Sequence, residues 1–303
     1  MSTAAGARAP DGRAADTWAG AAPGGLRAVL RGVLRDRNGR IGLVITAVLV
    51  VTALAATFGL TPQNPLVQHP DHLLESPSGT YWFGTDQFGR DIASRTFAGV
   101  AASLRVALLS VALAALIGTI AGVASGYLGG FWDQVVGRLT DVLFAFPAVL
   151  LALAIIAALG RGWFNTAIAI AIVYIPIFVR VSRGPTLSVR ELEYVAACRV
   201  LGFSGRRILF RHVLPNVSAP VVVQVALALS WAILTEAGLS FLGLGTQPPD
   251  PSLGLMVSEA RNLVTTAWWT MVFPSLAVVL AVIGLNLLGD GLRSALDPKE
   301  DRR

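Results

Sequence analysis

A phosphate-binding loop needs a lysine beside a serine or threonine, and Schiff-base chemistry needs a lysine that can act as a nucleophile. The single lysine is Lys299, between Pro298 and Glu300 near the C-terminal end. Neither chemistry is therefore expected. The histidines are His69, His72 and His212, and the only cysteine is Cys198. His69 and His72 are close enough to suggest two metal ligands, but no cysteine lies near them and no metal site is expected. One cysteine allows no internal disulfide. There is no His-Glu-x-x-His run, and the order of Ser, His and Asp argues for no triad. The chain is expected to do no covalent chemistry of its own. Glu236 is the acid whose position asks for a role, because it closes a long apolar stretch. A carboxylate at membrane depth is costly and is a functional candidate by default, with structural hydrogen bonding as the alternative.

The elements around these residues are apolar and long. Hydrophobic residues make up 54% of the chain and charged residues 14%, against about 25% charged in soluble domains. A spanning helix needs about 20 consecutive apolar residues. Such runs occupy 41–60, 106–132, 142–160, 162–179, 213–235 and 262–289. The expected fold class is an all-α membrane protein with six transmembrane helices. The first run sits behind a long hydrophilic stretch, too far in for a usual signal peptide, and is read as a retained helix.

Basic residues give the orientation. With the N-terminus inside, seven arginines precede the first span and seven lie between Arg180 and Arg211, whereas Arg90, Arg95, Arg161 and Arg261 alone fall outside. Arg105 sits at a span edge. That bias is a positive-inside signal. The net charge of +6 then reports topology, and no nucleic-acid partner is expected.

Along the chain, 1–25 reads as a disordered cytoplasmic tail, since it holds almost no large apolar side chains. Residues 26–40 read as a basic amphipathic helix at the membrane surface, with Leu26, Val29, Leu30, Val33 and Leu34 at helical spacing between arginines. Residues 41–60 form the first span, 61–97 an outer loop, 98–295 a core of five spans, and 296–303 a cytoplasmic tail. Gly118, Gly122 and Gly126 form a row of small residues that lets two helices approach closely.

The inside loop of 184–215 reads as two short helices, one over 190–201 and one from Ser204 to about Val213. Gly202 stops the first, Ser204 caps the second, and Pro215 is expected to end it before the fifth span. A bent helix pair projecting from the membrane suits a socket on a cytosolic partner.

Four stretches carry a resemblance. Ala196-Ala197-Cys198-Arg199-Val200-Leu201-Gly202, then nine residues, then His212-Val213-Leu214-Pro215, resembles the "EAA" loop of ABC importer permeases. Ala197, Gly202, Leu214 and Pro215 match, while Ala196 stands in place of the Glu, Cys198 of the second Ala and His212 of the Ile. Gly84-Thr85-Asp86-Gln87-Phe88-Gly89-Arg90-Asp91, Glu236 to Gly245, and Asn286 to Arg293 with Asp297-Pro298 are similar to the same peptide-importer branch. The resemblance is to the C-type permease subunit of dipeptide and oligopeptide ABC importers, over about residues 26–300.

The resemblance implies a type I ABC importer permease fold. It implies a heterodimer with a B-type permease, two ATPase domains that bind ATP and Mg, and an extracytoplasmic peptide-binding protein. This chain itself would hold no cofactor. Coupling to the ATPase would fall to Ala196, Ala197, Arg199, Leu201, Gly202, Phe203, Ser204, Ile208, Leu209, Leu214 and Pro215. The seat itself is expected in Val200, Leu201, Phe203, Ile208 and Leu209. Thr85, Asp86, Arg90 and Asp91 would either meet the binding protein or lock the outer loop onto the second span. Glu236 and Ser240 are candidates for lining the translocation path. Nickel, glutathione or another peptide-like cargo fits the same architecture, and a stand-alone channel or secondary carrier is the rival class.

Overall fold

The structure, a computed structural model, describes residues 26–296. The expected tail 1–25, and residues 297–303 of the expected tail 296–303, lie outside the described residues, while Leu296 ends the last helix. The described chain is helical, with one isolated antiparallel bridge between Thr85 and Asp91.

A short helix α1 (Leu26–Arg35) meets α2 (Arg37–Thr57) at Asp36, whose carboxylate accepts from the Gly39 N–H at 2.6 Å and so caps α2. The expected single surface helix therefore stops at Arg35, and Arg37 to Arg40 belong to the first crossing. An outer segment leads to α3 (Ile92–Leu128), α4 (Gly130–Phe144), α5 (Ala148–Leu159) and α6 (Trp163–Arg190). The inner loop holds α7 (Glu193–Val200) and α8 (Gly205–Ile208), and α9 (Leu214–Phe241) follows. After an outer turn come α10 (Leu253–Ala260) and α11 (Trp269–Leu296).

Among the described residues five single helices are long and apolar enough to cross a membrane, and the pair α4 and α5, bent by 94°, brings the number to the expected six when it is counted as one crossing. With 12 residues, α5 reaches roughly 18 Å, short of the ~30 Å of hydrocarbon. The bend falls at Ala145-Phe146-Pro147, where Pro147 precedes α5 and has no N–H to extend α4.

The core lies where α3, α6 and α9 meet, with α2, α5 and α11 around it. Val106, Val111 and Ala114 of α3 pack with Ala167, Ile170 and Phe178 of α6 and with Ala228, Ala232 and Ile233 of α9. The glycine row sets how closely α3 and α6 approach. A Cβ on Gly118 would stand 2.6 Å from Phe178 Cβ, one on Gly122 would collide with Ser182 Oγ and the Val179 carbonyl, and one on Gly126 would press on Thr186. Each contact lies 60 residues further on (118 to 178, 122 to 182, 126 to 186). The two helices therefore run parallel, one crossing apart. Gly122→Ala is expected to cost about 1–3 kcal/mol, the range for overpacking a tight contact. Thermal unfolding in detergent measures it, and an unchanged midpoint would mean that the close approach is not needed.

Candidate functional site

The loop of 184–215 is a mount packed on a small core, with an exposed tip. Val195, Ile208, Val213 and Val217 are buried together with Val123 of α3 and Val189 of α6 in a small core of their own. The turn between α7 and α8 is a Schellman motif. The Phe203 N–H donates to the Cys198 carbonyl at 3.0 Å and the Gly202 N–H to the Arg199 carbonyl at 3.0 Å. Gly202 takes φ +77°, which glycine adopts without strain. Ser204 then caps α8, its Oγ accepting from the Arg207 N–H at 3.4 Å.

This geometry divides the residues expected to form a seat. Val200 and Leu201 are 88% and 72% exposed at the tip, beside exposed Ala196, Ala197 and Arg199. Ile208 is 1% exposed and belongs to the small core, and Leu209 packs against it. Phe203 is half-buried against the same core, and the Arg207 guanidinium lies 4.5 Å from its ring centre. Ile208 is thus part of the base of the mount, while Leu209 stays partly exposed. The helical spacing of the segment does not separate the two faces, because α8 is only four residues long.

Pro215 does not end a helix, contrary to the sequence reading. Residues Gly205 to Phe241 form one continuous rod. A π-helical turn over Leu209–Val213 precedes the proline, with the Leu214 N–H donating to the Leu209 carbonyl. The wide turn relieves the clash that a proline ring makes with the carbonyl four residues earlier. The loop is therefore joined to the fifth crossing by an unbroken helix.

The arginines of α6 tie the mount to its neighbours. Arg190 donates to the Gly126 and Tyr127 carbonyls at 3.1 and 3.2 Å, closing the C-terminal end of α3 where cations are favoured. Arg183 makes a two-pronged pair with Asp133 of α4 at 2.6 and 2.7 Å. Arg180 reaches Asp141 at 3.2 Å and lies 4.0 Å from the Phe144 ring centre, at the α4–α5 bend. In the sequence these arginines mark topology, and nothing there singles out Asp133 or Asp141.

The outer segment folds around one turn. Asp86 accepts from the Phe88 and Arg90 N–H groups at 2.8 and 2.9 Å, and its other oxygen accepts from Arg90 Nε at 2.6 Å. Arg95 Nε stands 3.6 Å from Asp86, and both arginines reach Glu259 of α10, at 3.3 and 3.7 Å. Thr85 Oγ1 donates to the His72 carbonyl at 2.6 Å, and Trp269 Nε1 donates to the Thr85 carbonyl at 3.1 Å. Asp91 caps α3, accepting from the Ser94 N–H at 2.8 Å. Thr85, Asp86, Arg90 and Asp91 are all buried. Of the two readings of this segment, the geometry is that of a lock between the loop, α3 and α10. Arg95, at the end of the segment, and Glu259, which was not anticipated, complete it. A lone acid on an otherwise apolar outer stretch was the signal for Glu259.

Glu236 is brought together with Ser240, but not on a path. It is 0% exposed, accepts from Ser103 Oγ of α3 at 2.6 Å and from Ser240 Oγ at 2.6 Å, and Ser240 is equally buried. Both face the interior of the subunit, so neither lines an open surface of this chain, contrary to their candidacy for the translocation path. Glu236→Gln is expected to keep one acceptor and lose under about 1 kcal/mol. Glu236→Ala is expected to cost about 2 kcal/mol, since both hydroxyls can turn back to carbonyls of their own helices and recover part of the loss. Thermal unfolding of the two variants checks this. Wild-type stability with abolished transport in Glu236→Gln would restore the path reading.

The arrangement is that of a membrane bundle whose longest loop is mounted on a small core of its own. The chain belongs to the family of binding-protein-dependent transport system inner membrane components, whose pattern matches residues 114–302. It is 42% identical over 273 residues to the dipeptide transport system permease protein DppC of Alkalihalophilus pseudofirmus, covering 90% of each chain. It is 40% identical over 283 residues to the di/tripeptide transport system permease protein DppC of Pseudomonas aeruginosa, covering 91% of this chain and 93% of the other. It is 47% identical over 229 residues to the glutathione transport system permease protein GsiD of Pectobacterium atrosepticum, covering 76% of each.

Proposed function

We propose that the protein is the C-type permease of an ATP-driven importer of di- and oligopeptides, forming the translocation path with a homologous B-type permease. Its termini lie in the cytoplasm, and the α7–α8 mount is the coupling element for one of two partner ATPase domains. ATP and Mg bind on those partners. A binding protein delivers cargo to the outer face. The observation that carries this reading is the bare apolar tip, Val200 and Leu201, on a base fixed by the Val195–Ile208 core.

Force enters at that tip. α7 follows α6 after Glu191 and Leu192, and α8 continues into α9 without a break. A push on the tip therefore reaches two core crossings directly, and through Arg183 and Arg180 it reaches the bent pair α4–α5. Rigid elements with fixed joints are what alternating access by rigid-body movement requires. The test is co-purification of the chain with an ATPase in mild detergent, followed by Leu201→Asp. The ATPase is expected to be lost from the variant while the second permease stays bound. Retention of the ATPase would count against the tip as the seat.

Glutathione is the second reading, because the similarity to the glutathione permease reaches 47% identity. Uptake by the reconstituted complex of a labelled dipeptide, competed by glutathione, separates the two cargoes.

A further inference from the structure

We propose that α1 is a binding site for the headgroups of anionic phospholipids in the inner leaflet. The inference rests on the cytoplasmic placement of the N-terminus. One side of α1 is occupied within the protein. Val33 is buried, and Gly32 lies so close to Ala295 of α11 that a Cβ there would stand 2.6 Å from the alanine Cβ. Asp36, at the end of the same helix, is engaged with the Gly39 N–H. The helix is therefore held at a fixed rotation against α2 and α11.

That rotation leaves two adjoining stripes outward. Leu30 and Leu34 are 49% and 45% exposed. Arg27, Arg31 and Arg35, four apart and so on one side of the helix, are exposed next to them. The leucine stripe borders the arginine stripe, as in helices that lie with one face in the acyl boundary and the other among headgroups. Depth agrees. α2 has 21 residues, about 31 Å, one thickness of hydrocarbon. Its start beside Asp36 therefore falls at the inner headgroup level, with Arg37 and Arg40 also exposed there. Among the described residues no carboxylate lies within ion-pair distance of Arg27, Arg31 or Arg35. A phosphate-bearing leaflet supplies a counter-charge for them at the required height.

The test uses the purified complex in detergent, titrated with phosphatidylglycerol or phosphatidylcholine and read by native mass spectrometry. Wild type is expected to retain phosphatidylglycerol in preference. Each arginine at an anionic surface is worth roughly a fivefold preference, so R27Q/R31Q/R35Q should weaken retention on the order of a hundredfold. The outer-face control R161Q/R261Q should leave it unchanged. Equal retention by the triple variant, or displacement of the lipid by inorganic phosphate, overturns the proposal. Orientation is read separately, by labelling Asn38→Cys in a Cys198→Ser background with a membrane-impermeant maleimide. Labelling in inside-out vesicles only is expected. Labelling from the outer side would overturn the cytoplasmic placement, independently of the lipid result.

Discussion

Replacing Gly202 by valine is expected to lower peptide uptake by the reconstituted importer at least about tenfold while the partner ATPases continue to hydrolyse ATP. The reason is backbone conformation. Gly202 sits at φ +77°, and a Cβ built there would meet nothing within 4 Å. An L-residue in this region costs about 1–2 kcal/mol, and a β-branched one more. That strain can be relieved only by opening the Schellman turn, which breaks the bonds from Phe203 to Cys198 and from Gly202 to Arg199. α7 then loses its fixed angle to α8, and the tip no longer moves with α9. Asparagine tolerates positive φ far better than valine, so Gly202→Asn should keep most of the uptake. The contrast between the two variants isolates the turn from any effect of bulk. Uptake of labelled dipeptide and phosphate release, measured on the same proteoliposomes, give the ratio. Wild-type coupling in Gly202→Val would remove α7–α8 as the transmission element.

The crossings were legible because hydrocarbon demands unbroken apolar runs, and the chain supplies six. Their ends were less legible where protein stands in for lipid or water. The second apolar run begins at residue 106, yet α3 begins at Ile92. Its first turns hold Ser94, Arg95 and Ser103, polar groups that look like loop until Asp91 is found on the first, Asp86 and Glu259 on the second and Glu236 on the third. α4 was hidden for the same reason. Asp133, Arg138 and Asp141 broke the apolar pattern, while two of those charges are neutralised by Arg183 and Arg180 from α6, some 40 to 50 residues away. The prolines at 248, 249 and 251 point to an outer turn where α10 follows. Ser252 followed by Leu253-Gly254-Leu255-Met256 was a cap before an apolar run, and Ser252 Oγ does accept from the Leu255 N–H. The inner loop was legible in its punctuation, Gly202 and Ser204, which act locally. The roles of Ile208 and Pro215 were not, because burial against α3 and a π turn depend on the packed bundle.

Asp86→Ala should be the most damaging substitution in the outer segment, at about 3–5 kcal/mol, the range for stranding a buried charge by removing its partner. Arg90 and Arg95 are both buried, and Asp86 bonds one and lies close to the other. Without it, two guanidiniums would share Glu259, which is itself partly exposed. The two N–H groups of Phe88 and Arg90 would also lose their acceptor. Asp86→Asn keeps an oxygen for those N–H groups but loses the charge, so an intermediate loss is expected. Thermal unfolding in detergent ranks wild type, Asn and Ala in that order. Docking of the binding protein should fall only as far as the folded fraction falls, because the side chain faces inward. An Asp86→Ala protein that melts like wild type yet no longer docks its binding protein would reverse this assignment and make the turn a contact surface instead of a lock.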